Sequence, residues 1–183
     1  VFATDAQGDN DLDRGGCGVV GDDADPALVS QACEYGGSPG YTVSKLDGSI
    51  AGLLKPGKEL LRRTPFSRPP KDLLDPAALP WRPLCLGRWQ WSDPVVLGEG
   101  RSSNRLLELL SQCSRAHRHV FLSLQDNQTW AGAAGKGRSA APQQNYMCRR
   151  RAALKCATAI DCRLPWVQSP SMPADSLSRA VGS

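Results

Sequence analysis

The sequence predicts an α/β fold, a mixed central sheet with helices packed on its faces. Two observations predict it. Short apolar segments alternate with segments of helical period along the chain, and 183 residues suffice for one domain to bury a core without disulfide staples. A single domain spanning residues 1–183 is therefore expected.

Residues 1–6 read as a short strand and residues 17–20 as a second, with a turn-rich segment between them. Together they suggest a hairpin carrying Asp5 on its first arm. Residues 27–33 suit a short helix, whereas residues 40–54 show no clear period. Pro56, Pro65, Pro69, Pro70, Pro76, Pro80 and Pro83 crowd residues 56–83. That density excludes long helices and central strands and marks a connector or insertion within the domain. Compact structure resumes at Leu84, with Trp89 and Trp91 alternating around Gln90 as in a strand. A helix is expected over residues 105–113, where Leu106, Leu110 and Cys113 recur at helical spacing. Residues 120–124 form an apolar strand, and residues 128–134 a short helix broken by Gly135 and Gly137. Pro142 suits the start of a long helix whose apolar face carries Met147, Leu154, Ala157 and Ile160, with Arg149 opposite. Residues 164–167 read as a last strand, and Pro173, Ala174 and Asp175 open a terminal helix.

Seven cysteines, an odd number, occur without a C-x-x-C pair or a histidine at ligand spacing, so neither a disulfide framework nor a zinc site is indicated. A reducing, intracellular setting, cytoplasmic or nuclear, is expected, and no membrane span is seen. The chain opens on an apolar segment without an initiator methionine, which suggests a piece of a longer polyprotein. The net charge of +4 is mild. Its distribution is more telling: Lys55, Lys58, Arg62, Arg63, Arg68 and Lys71 form one basic run, and Lys136, Arg138, Arg149, Arg150, Arg151 and Lys155 a second. Such runs are solvated faces or, beside a cluster of acids, grips for a phosphate backbone. The segment GKGRS lacks the spacing of a phosphate loop, and with only His117 and His119 available, a histidine-based triad has little to build on.

Four acids stand out. Asp5 follows Val1, Phe2 and Ala3, an apolar run in which a carboxylate is costly unless paired or bound to metal; the alternative is an exposed strand end. Glu99 precedes Leu106 by two helical turns and shares its face if the helix extends back that far. An N-cap at Ser102 or Ser103 would instead leave Glu99 outside the helix. Glu108 lies about 200° from Leu106 and is expected to face solvent. Asp126 follows an apolar strand, where either it or Asn127 could cap the next helix, and Asp175 near a helix start carries the same ambiguity.

Taken in order, these contexts resemble the ribonuclease H domain of DIRS-type and related retroelement polyproteins. The resemblance rests on ATDAQG and DRGGCGVV at the amino end, then GRWQW, GEGRS, FLSLQDNQT, GKGRS, RRRAAL and WVQSPSMPADSLSR. It covers about two-thirds of the chain. It implies a ribonuclease H-like fold in which Asp5, Glu99, Asp126 and Asp175 hold two Mg²⁺ or Mn²⁺ ions and cut the RNA strand of RNA:DNA hybrids beside a reverse transcriptase domain. Lys136, Arg138, Arg149 and Arg150 would contact the nucleic acid. The alternative is a non-catalytic or degenerate module of the same fold that binds the hybrid without cutting it.

Overall fold

The computed structural model describes residues 1–7, 15–33, 75–90 and 93–180. Among these, five strands form one sheet in the order β3-β2-β1-β4-β5. Strands β1 (Phe2–Ala6) and β2 (Gly16–Gly21) make an antiparallel hairpin, Asp5 lying opposite Gly18. Strand β3 (Arg82–Arg88) pairs antiparallel with β2 at the sheet edge. Strands β4 (Val120–Leu124) and β5 (Asp161–Arg163) run parallel to β1 on its other side.

The helices divide between the two faces. Helix α1 (Pro26–Cys33), residues 167–174 and the short helix α5 (Asp175–Arg179) cover one face, where Ala3, Val20, Ala32, Leu122, Leu124, Val167, Met172 and Ala174 form a buried cluster. Helices α2 (Val95–Ser111), α3 (Gln128–Lys136) and α4 (Pro142–Thr158) cover the other. Leu107, Ile160, Cys162 and Leu164 pack there beside a second group around Trp130, Met147 and Cys148. Asn104 of α2 donates to the Met147 carbonyl of α4, 3.0 Å away, tying the helices together where both are buried.

Several element boundaries differ from the expectations. The strand after the connector is residues 82–88, so Arg82 and Pro83 belong to it and Trp89 does not; Trp91 and most of residues 56–83 lie outside the described residues. Pro83 is tolerated because β3 is an edge strand, where a missing N–H need not break a ladder. Helix α2 begins ten residues earlier than its apolar period suggests and ends before Cys113, which is exposed. Gly135 does not break α3. Gly137 ends it in the left-handed conformation (φ 70°), with the amides of Gly137 and Arg138 returning to the carbonyls of Ala134 and Ala133. The GKGRS segment is thus a helix carboxyl end, the pole that repels phosphate. Helix α4 stops at Thr158, leaving Ile160 buried beyond it and Ala157 exposed. The last strand is residues 161–163 rather than 164–167. Pro165, without an N–H, interrupts the ladder, which touches again only at the Gln125–Trp166 bridge. No helix among the described residues is long and apolar enough to cross a membrane, and all seven cysteines are free.

Candidate metal centre

The parallel pairing of β1 and β4 brings the first two acids together. Ala3 lies opposite Leu124, and continuing both strands by two residues sets Asp5 level with Asp126. Side chains alternate along a strand with a period of two, so Asp5 falls on the face that Ala3 and Leu124 share, and Asp126 stands just past the end of β4 beside it. Asp5 is 4 % exposed, inside the sheet rather than at an exposed end. The choice of cap at the following helix is also resolved. Asn127 is the N-cap, its side-chain oxygen accepting from the Trp130 amide at 3.0 Å, so the Asp126 carboxylate is not consumed by that role. Trp166 donates to the Asp126 carbonyl at 2.8 Å and anchors the backbone there.

Glu99 arrives on α2 from the opposite face. The helix starts after Pro94, so Glu99 lies within it, 3 % exposed. Ser102 and Ser103 are buried residues inside the helix and not caps: Ser102 donates to the Glu99 carbonyl (3.0 Å) and Ser103 accepts from Arg151 (3.3 Å). The flanking glycines explain how the helix comes so close. A Cβ on Gly98 would stand 3.1 Å from Ala6 Cβ, and one on Gly100 would stand 2.7 Å from Met147 Cε. Glycine costs about 1 kcal/mol of helix propensity at each position; the close approach at Gly98 sets α2 on the end of β1, and that at Gly100 sets it against Met147 of α4. Glu99 Oε1 then accepts from the Ala6 amide at 3.3 Å, while Oε2 is buried without a partner.

Asp5, Glu99 and Asp126 each offer a carboxylate oxygen, and these oxygens lie within 4.8 Å of one another. Burial, then the charges of Asp5 and Asp126, push Glu99 up to about 9. Burial likewise raises Asp5 above its ordinary value, against the lowering effect of its bond from Ser178. Three acids this close cannot all be ionised at neutral pH without a compensating cation. Hard oxygen donors with an orphaned carboxylate oxygen suit a divalent ion such as Mg²⁺ or Mn²⁺, and the residues fit such a group.

Asp175 stands outside this set. Its Oδ1 is held by Arg179, with Nε at 2.9 Å and Nη2 at 2.8 Å, although it lies near enough to raise Asp5. Glu108 does not face open solvent as expected; it joins α2 to α4 by pairing with Arg150 (2.8 Å) and also meets Arg105 (3.4 Å). Of the four expected nucleic-acid contacts, Arg150 is engaged in that pair, Arg138 and Arg149 are exposed, and Lys136 is half-buried.

Two features were not anticipated from sequence. Ser178 is fully buried and hydrogen bonds to Asp5 Oδ2; its place three residues after Asp175, one helical turn, was the available signal. Trp89 donates to the Gln7 carbonyl (3.2 Å), stands over Gly98 beside Glu99, and lines an open groove with Arg88, Gln90 and Arg101. Comparisons with protein-family models, curated proteins and solved structures found no match to this chain.

Proposed function

We propose that the chain is a ribonuclease H-like, metal-dependent endonuclease that hydrolyses the RNA strand of RNA:DNA hybrids during reverse transcription of a retroelement, working beside the reverse transcriptase of the same polyprotein. The observation that carries this reading is the convergence of Asp5, Glu99 and Asp126 from three separate elements onto the carboxyl ends of adjacent parallel strands. The fold adds support: a five-stranded mixed sheet flanked by helices is compatible with the ribonuclease H-like fold that the resemblance implies. A buried acid cluster of this kind is costly to a protein that only binds.

Asp5, Glu99 and Asp126 would hold a divalent ion, and a second ion would draw on Asp175 after exchange with Arg179. Such ions, when bound, supply Lewis acidity at a phosphodiester and acidify a water molecule for in-line attack. The chain's own residues do the positioning. The Ala6 amide orients Glu99, Trp166 fixes the Asp126 backbone, and the sheet holds Asp5 and Asp126 side by side. Substrate choice would rest on the 2′-hydroxyl of the RNA strand.

Cleavage of a labelled RNA:DNA hybrid in Mg²⁺ tests the reading. The chain should cut, and Asp126→Asn should lower the rate by more than about a hundredfold, beyond the usual effect of losing an outer partner of a metal site. Equal cutting by both proteins would sink the assignment. Binding of the hybrid without cutting by either would favour the non-catalytic module.

A further inference from the structure

We propose that Ser178 is a positioning residue of the acid site, and that the packing of α5 on Gly18 is the device that delivers it; this rests on the metal-centre reading above. Gly18 lies opposite Asp5 in the β1–β2 ladder, on the same sheet face. A Cβ there would stand 2.9 Å from the Ser178 amide nitrogen, 3.0 Å from the Ala174 carbonyl oxygen and 3.1 Å from Leu177 Cβ. The absent side chain therefore lets the backbone of α5 rest on the sheet beside Asp5. Ser178, fully buried, closes the remaining distance with its hydroxyl to Asp5 Oδ2.

The Ser178 hydroxyl also lies 2.9 Å from the Asp175 carbonyl one turn back. A hydroxyl has one proton to give, and a carboxylate is the stronger acceptor, so the bond to Asp5 takes it whenever Asp5 is charged. That bond occupies Oδ2 and fixes the carboxyl plane. A merely structural serine would satisfy itself on the helix carbonyl and leave Asp5 free to rotate. Chemically, Ser178 stands to Asp5 as an outer partner stands to a ligand: it touches no substrate and acts through the acid it orients.

The test is Mn²⁺ binding to the whole chain, measured by calorimetry and by the loss of the free Mn²⁺ paramagnetic resonance signal, together with thermal unfolding. Ser178→Ala and Ser178→Cys both remove the strong donor, and cysteine also preserves volume, so at least one variant should fold. Either variant, folded, should bind Mn²⁺ about tenfold more weakly than the unsubstituted chain. Ser103→Ala, a buried serine of α2 that serves Arg151, should lose stability and keep its Mn²⁺ affinity. Unchanged affinity in the Ser178 variants, with binding intact in the unsubstituted chain, would overturn this proposal alone. Absence of Mn²⁺ binding by the unsubstituted chain would overturn it and the metal-centre reading together.

Discussion

Glu99 is the residue on which the electrostatics of the site turn. Burial raises it from 4.5 to about 9, so between those values the unfolded chain has released a proton that the folded chain still holds. The contribution to stability is complete below about 4.5 and is lost as pH rises toward 9. In EDTA, stability should therefore fall across that range, with Glu99 supplying a slope of up to about 1.4 kcal/mol per pH unit. Glu99→Gln should remove this share of the slope. Urea unfolding followed from pH 5 to 9 checks it, and identical slopes in the two proteins would show that Glu99 ionises normally.

At the scale of elements, small residues decide which surfaces can meet. Gly18 admits α5 onto β2, while Gly98 and Gly100 admit α2 onto β1 and α4. A methyl group at Gly18 would meet backbone, which cannot swing aside as a side chain can. Gly18→Ala is accordingly expected to cost about 1–3 kcal/mol by overpacking, read as a lower urea midpoint with an unchanged slope. Asn127→Ala removes the cap of α3 and should cost about 0.5–2 kcal/mol by the same measurement. Strand β4 and the start of α4 were legible because an apolar run and a proline at the first helical turn are local signals. The amino end of α2 was not, because Gly98, Gly100, Ser102 and Ser103 are poor helix formers whose helical state comes from packing and from internal bonds such as Ser102 to Glu99.

For the whole molecule, two sheet faces and their helices converge on the carboxyl ends of β1 and β4. Asp5 lies on the sheet face that α5 covers and Glu99 comes from α2 on the other face, so the site exists only when both layers are docked. A divalent ion that binds the assembled acids should then stabilise the entire fold. At a hundredfold excess over its dissociation constant, Mn²⁺ should add about 2.7 kcal/mol, seen as a rise in thermal midpoint that EDTA reverses. Asp5→Asn should abolish that rise, and a rise of equal size in this variant would place the ion elsewhere.

The sequence by itself determined the class of fold, the hairpin carrying Asp5, and the places of Asp126 and Glu99 as candidates, because apolar period and strand ends are written in neighbouring residues. Helical phase placed Glu99 on the face of Leu106, where it is buried, but expected Glu108 in solvent; the pairing of Glu108 with Arg150 depends on α4 and is invisible to α2 alone. Only the tertiary structure decided that three of the four acids converge and that Ser178 reaches Asp5. Those outcomes depend on strand register and on how closely two helices approach the sheet. Both are set by contacts between residues 93 to 173 positions apart, which no local pattern encodes.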